Sequence, residues 1–385
     1  MKHWSIIVVA ALLFPVFFLL LAIAQTPSPA DAIALEQQGK LPEAAAAWQA
    51  VTRRNPNDAG AFASLGVVLS REQKYAEAAT AYRRALALNP QLPGVALNLG
   101  LAQFKQGHFD SAAAALRTAL ASDPSSVQAR TLLGLSYYGA KKFDLASEYL
   151  EPAARADPAN AELHQVLAQS CLWAKNYSCA MEEFRRMLEQ NPESASAHVL
   201  FGEALDGDGR TQEAIAEFEA AAKISPREPN VHFALGYLHW KSQQYDEARE
   251  EFEREVALDP NHAQALAYLG DIEWKNNHPD AALSWLNRAR KSSNGLRVVY
   301  VDLGAIYLQQ KRYQDARDAL LHAVALDPAQ PDAHYQLGRL YQALGNTADA
   351  AKELRKVQEL HKKAEDSLVG KISTAPPALN PSEEK

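Results

Sequence analysis

Proline stands at positions 56, 90, 124, 158, 192, 226, 260 and 328, and every interval between these positions is a multiple of 34 residues. Asn294 fills the one open slot in that series. A second column in the same register holds Gly66, Gly100, Gly134, Gly202, Gly236, Gly270, Gly304 and Gly338, with Ala168 in the remaining slot. A third is unbroken: Ala44, Ala78, Ala112, Ala146, Ala180, Ala214, Ala248, Ala282, Ala316 and Ala350. No insertion or deletion disturbs the register from Gln25 to Ala364. A chain held to one period over that length cannot be a set of unrelated globular domains. It must repeat one supersecondary unit, each copy burying its apolar face against the next.

The columns describe a helical hairpin. Leu65, Leu99, Leu133, Leu167, Phe201, Leu235, Leu269, Leu303 and Leu337 each precede the glycine slot and give the first helix a buried face. A large residue recurs in the second helix: Trp48, Tyr82, Leu116, Leu150, Phe184, Phe218, Phe252, Leu286, Leu320 and Leu354. Glycine and alanine mark the place where the two helices cross, because a larger side chain there would push their axes apart. The Asn-Pro and Asp-Pro pairs end the second helix, since a residue before proline is driven out of the α region.

These columns resemble the tetratricopeptide repeat family, whose large-x-x-Leu-Gly-x-x-Tyr, Ala, aromatic, Ala and Pro pattern is met at the expected offsets. Tyr300-Val301-Asp302-Leu303-Gly304-Ala305-Ile306-Tyr307 is nearly the family's consensus. The resemblance covers close to nine tenths of the chain and implies an all-α fold, a right-handed α-solenoid of stacked antiparallel hairpins. The repeats divide into a truncated unit at 25–58 and nine tandem units of 34 residues at 59–364. The last helix, from Thr347 past Ala364, carries Lys352, Glu353, Arg355, Lys356, Glu359, His361, Lys362 and Lys363 as a polar outer side that closes the stack. Residues 365–385, with Pro376, Pro377 and Pro381, are expected to be a disordered tail.

The N-terminus has a different chemistry. Lys2 and the amino terminus precede the apolar run Ile6 to Ala24, and Ala22-Ile23-Ala24 offers a small-x-small cleavage pattern before Gln25. Residues 1–24 therefore read as a cleaved signal peptide, or as an uncleaved membrane anchor, because the run is close to bilayer-spanning length. On either reading the repeats lie outside the cytoplasm, periplasmic or secreted. The export pattern and the repeat together suggest a bacterial origin.

Composition narrows the partners. The formal charge is −7 and the pI about 5.9, with no Lys/Arg block of the kind that grips phosphates or anionic lipid, so nucleic acid is not expected. There is no glycine-rich phosphate loop, nucleophile elbow or His-Glu-x-x-His helix, so neither catalytic residues nor a cofactor is expected. Repeat-bearing glycosyltransferases of the family append a catalytic domain and carry an asparagine ladder two residues before the glycine slot. Here only Asn98 fits that ladder. His164, His198, His232 and His334 share a column, yet equivalent atoms on stacked repeats lie roughly 8 to 10 Å apart, too far to share one metal ion. Packing is the expected role of these histidines.

Cys171 and Cys179 are the only cysteines and flank the turn of one hairpin, where the two side chains can face each other. Their spacing resembles that of secreted repeat proteins in which a cysteine pair staples each hairpin. A disulfide suits an exported chain, and two buried free thiols are the alternative.

In the family, the groove is lined by first-helix positions three before, one after and four after the glycine slot. Over the first repeats these hold Ala63, Val67, Leu97, Leu101, Phe104, Thr131, Leu135 and Tyr138, a largely apolar wall. Over 161–296 they become Gln165, Gln169, Leu172, Val199, Glu203, Asp206, Phe233, Tyr237, Trp240, Ala267, Asp271 and Trp274. The Lys and Arg clamp of the family's chaperone-binding members is absent. Aromatic rings among carboxylates suit a protein or peptide with apolar and basic side chains, centred on Tyr237, Trp240 and Trp274. The alternative for these rings is packing between repeats. The expected function is a non-catalytic interaction scaffold or adaptor of the cell envelope. Glycan binding, or service as a non-catalytic subunit of an enzyme complex, are the other readings.

Overall fold

The computed structural model describes residues 27–374, so the segment expected to be a signal or anchor lies outside the described residues. Among the described residues there are twenty α-helices and no strand. In chain order they are α1 (Pro29–Gln37), α2 (Leu41–Arg54), α3 (Ala59–Arg71), α4 (Tyr75–Leu88), α5 (Val95–Lys105), α6 (Phe109–Ser122), α7 (Val127–Gly139), α8 (Phe143–Ala156), α9 (Ala161–Trp173) and α10 (Tyr177–Gln190). There follow α11 (Ala195–Gly207), α12 (Thr211–Ile224), α13 (Val231–Lys241), α14 (Tyr245–Leu258), α15 (Ala263–Lys275), α16 (Pro279–Ser292), α17 (Arg297–Gln309), α18 (Tyr313–Leu326), α19 (Pro331–Ala343) and α20 (Thr347–Thr374). The chain divides after Ser170 into two compact units.

From α1 to α8 and from α10 to α20, an odd-numbered helix packs against the even-numbered helix that follows it, and that helix against the next odd one. Odd helices also touch each other: α3 meets α5 and α5 meets α7 in the first unit, while α15 meets α17 and α17 meets α19 in the second. The odd helices thus line one face, which in the second unit is carried from α11 to α15 by the Lys241–Asp206 and Trp240–Asp271 side-chain bonds. The all-α solenoid class is realised by this alternation.

Every glycine of the repeat column lies against the large residue sixteen positions later. A Cβ on Gly66 would sit 2.4 Å from the Tyr82 ring, and on Gly100, 2.5 Å from Leu116. In the second unit the same atom would come within 2.7 Å of Phe252 at Gly236, and within 2.5 Å of Leu320 at Gly304. The missing side chain is what lets the second-helix residue seat fully. Tyr82, Leu116, Phe252 and Leu320 are all buried to 1% exposure or less. Each such residue contributes about 1.5 to 3 kcal/mol by burial, so the column sets the helix crossing and much of the stability together.

A further column emerges from the backbone. Positive φ occurs at Gly39, Gln73, Gly107, Lys141, Lys175, Gly209, Gln243, Asn277, Lys311 and Gly345, again 34 residues apart. Each is the left-handed residue closing an odd helix. The next residue's N–H donates to the carbonyl five positions back, as Lys142 does to Tyr137 and Arg312 to Tyr307, which turns the chain into the second helix. Only four of the ten are glycine, so the other six carry the steric penalty of a side chain in this conformation.

The second turn behaves as the proline column implies. Asn89 and Asp259, each before a proline, are extended at φ −140° and −124°. Ser293, before Asn294, takes the same conformation at φ −149°, so this turn forms without proline. Asp58, Ser126, Ser194 and His262 then cap the following helices by accepting a backbone N–H three residues on.

At the C-terminal end helix α20 runs to Thr374, so it takes in residues 365–374 of the segment expected to be a tail. The stretch from Glu365 to Ile372 contains no proline, and the first strong breaker is Pro376. Residues 375–385 lie outside the described residues.

Candidate functional site

The odd-helix face of the second unit gathers most of the residues expected to line a groove. Tyr237, Trp240 and Trp274 are half-buried and pack onto the core through α13 and α15. Tyr237 stacks with Trp240 at 6.3 Å and an interplanar angle of 20°, and both meet the edge of Tyr268, at 5.9 and 5.0 Å. Tyr268 in turn lies flat on Phe252 at 5.1 Å. Phe233 is drawn inward, with its ring against Phe252, His262 and Tyr268, and its N–H donates to the buried Glu255 carboxylate at 3.1 Å. Packing between repeats therefore accounts for Phe233 and for one side of Trp240. It leaves Trp274 with a cavity beside it.

The carboxylates divide into spent and free. Trp240 Nε1 donates to Asp271 Oδ2 at 2.6 Å, and Lys275 pairs with the same carboxylate while its ammonium sits 5.1 Å above the Trp240 ring. Asp206 is paired with Lys241 at 2.9 Å, and that carboxylate holds the lysine above its ordinary pKa. Both aspartates are thus matched within the protein. Glu203 is different: it is exposed and has no partner among the described residues, yet the surrounding protein strips its hydration enough to raise its carboxyl above the ordinary value. It is the groove carboxylate left open to a cation.

Asp302, two residues before Gly304, went unassigned in the groove pattern. Its carboxyl is buried and Oδ2 has no hydrogen-bond partner. Loss of hydration, helped by Asp271 and opposed by Lys275, raises its pKa to about 8. The group is accordingly neutral at pH 7.

In the first unit, Leu101 is half-buried and lines an open apolar cavity of about 280 Å³ with Val67, Tyr75 and Ala102. Tyr138 donates its hydroxyl to Gln169 Oε1 at 2.6 Å, an inter-repeat bond with the same spacing as Trp240 to Asp271. Gln165 is exposed.

His198, His232 and His334 bond through Nδ1 to Glu217, Glu251 and Glu353, at 2.6, 2.7 and 2.6 Å, each glutamate nineteen residues on. Among the described residues no cluster has the makings of a metal site. Cys171 and Cys179 are joined as a disulfide, with Cα atoms 5.8 Å apart, across the turn between α9 and α10.

The same groove columns, continued past residue 296, reach Ala305, Leu308 and Arg339. With Trp274, Gln309, Lys311, Tyr313 and Ala343 they line a cavity of about 400 Å³. The columns alone pointed there.

Tetratricopeptide repeat models match residues 30–93, 97–161 and 233–296, half of the chain in a single model. The chain belongs to the tetratricopeptide repeat family. Further models described as tetratricopeptide repeats match 137–205, 207–254 and 332–364, and a TPR repeat model matches 304–345. No curated protein matches the chain. Among similar solved structures, MamA MSR-1 C2 is 27% identical over 43% of this chain and 95% of its own, with a TM-score of 0.38. YrrB, described as a TPR protein with an unusual peptide-binding site, is 22% identical over 50% of this chain and 99% of its own, at 0.41. The APC/C hetero-tetramer Cut9-Hcn1 is 15% identical over 86% of this chain and 80% of its own, at 0.49.

Proposed function

We propose that this chain is a non-catalytic interaction scaffold that holds a protein or peptide on the odd-helix face of its second unit. Tetratricopeptide repeats are interaction modules, and nearly all of this sequence is devoted to them. The observation that carries the assignment to this face is Trp274, a half-buried ring bordering an open cavity instead of being closed over by the next repeat. Glu203, exposed and unpaired, adds a place for a basic side chain, and apolar side chains of the same ligand would meet the rings. A glycan is less well served, because Lys275 and Tyr268 already occupy the ring surroundings of Trp240. The N-terminal apolar run and the disulfide support a setting in the cell envelope, outside the reducing cytoplasm.

Affinity capture from envelope extracts, run in parallel with W274A and E203K, tests this reading. Partners retained by the parent chain should fall at least tenfold with either variant, and partners held equally by all three place binding elsewhere. Recovery of the chain from the cytosol with both thiols free contradicts the export part.

A further inference from the structure

The cavity beside Trp274 has a charge character opposite to that of Glu203. Its apolar part is Trp274 at the end of α15, Leu308 at the end of α17 and Tyr313 at the start of α18, all packed on the core of the second unit. Its polar part includes Lys311 and Arg339. Other cations along this face are consumed: Lys241 by Asp206, Lys275 by Asp271, and Arg312 by Asp315. Lys311 and Arg339 are exposed and have no carboxylate partner among the described residues, and Arg339 donates instead to Gln336 at 3.2 Å. Lys311 is also fixed by its backbone, being the left-handed residue of its turn at φ 59°. The site thus presents two uncompensated cations in an open cavity of about 400 Å³ with a mixed lining, whose apolar side is formed by Trp274, Leu308 and Tyr313.

Resting on the proposed function, we propose that this cavity takes an acidic segment of the partner protein that carries one large apolar side chain. The apolar side chain fills the recess between Trp274, Leu308 and Tyr313. Asp or Glu residues beside it pair with Lys311 and Arg339. The occupant is an internal acidic stretch, identified by charge complementarity, and a basic or purely apolar segment does not satisfy the two cations. With Glu203 in α11 and these cations on the α17–α18 turn and α19, the face is polarised along its length. A bound segment therefore has one orientation, its basic residues toward α11 and its acidic residues toward α19.

Panning random dodecapeptides on the full chain tests this. The selected peptides should pair Asp or Glu with Trp, Phe or Leu, and the best of them, fluorescently labelled, should lose at least tenfold in affinity for W274A and for K311E/R339E. K311Q/R339Q should lose less than the charge reversal, and affinity should fall with added salt. Both charged side chains are exposed, and unchanged thermal unfolding of these variants confirms an intact stack. Selected peptides without acidic enrichment, or binding indifferent to K311E/R339E, overturn this inference while leaving a peptide-binding face. Failure to select any peptide overturns the inference and the proposed function together.

Discussion

The two units share a frame and differ in face. In both, glycine meets a large second-helix residue at less than 3 Å from where its Cβ would be, and in both the left-handed turn residue recurs every 34 positions. On the odd-helix face the first unit offers an apolar recess around Leu101, whereas the second sets rings among matched and unmatched charges. Even the bond joining neighbouring repeats changes kind. It is neutral from Tyr138 to Gln169 and charge-assisted from Trp240 to Asp271, at the same 2.6 Å. Positions where the two helices of a hairpin cross cannot vary without opening a void or a clash, so variation is confined to positions that the crossing does not use. Those are the positions where recognition can be encoded.

Overpacking the shared frame should have the largest effect and should not distinguish the units. G100V in the first unit and G304V in the second each force a branched side chain into Leu116 or Leu320, and each should cost about 3 kcal/mol or more in urea unfolding. A mild effect in one unit alone would break the claim of a common frame.

Asp302 gives the next largest effect, and its counterpart column position in the first unit, Asn98, does not titrate. Because the folded pKa is raised to about 8 from 3.8, the folded chain keeps a proton that the unfolded chain releases above about pH 4. Stability should fall as pH rises from 4 to 8 and level off above. D302N should remove this slope, which is about 1.4 kcal/mol per pH unit between pH 5 and pH 7. Parallel pH profiles for parent and variant would contradict the burial of that carboxyl.

The inter-repeat bonds sharpen the comparison at smaller scale. W240F should cost about 1.5 to 3 kcal/mol, because it removes a hydrogen bond to a charged group, and Y138F about 1 kcal/mol. Equal costs would remove the distinction between charged and neutral rungs. Smallest, and of opposite sign, K141G should stabilise by about 0.5 to 1 kcal/mol through relief of the left-handed conformation, whereas Gly107, already glycine at φ 74°, has no such gain to offer.

The hairpins could be read directly because proline, glycine, alanine and leucine answer backbone and packing demands that admit few substitutes. The left-handed turn column was hidden for the opposite reason. It constrains only φ, and Gly39, Gln73, Lys141 and Asn277 share no side-chain chemistry. On the face, Trp240 and Trp274 lay on recognisable columns, but whether Asp206 and Asp271 were free depended on Lys241 and Lys275, and the first of these pairs joins successive repeats. Asp302 carried no signal of burial, since its column holds Asn98, Leu132, Tyr268 and Gln336 elsewhere. The helix past Glu365 was obscured by the prolines that follow it.

The central claim is that binding occurs on the odd-helix face of the second unit, and site-specific photo-crosslinking tests it most directly. A benzophenone residue placed at Leu308, on that face, and another at Leu321, an exposed position on α18, should be compared with the same captured partner. The account expects crosslinks from position 308 and none from 321. Crosslinks from 321 alone would contradict it.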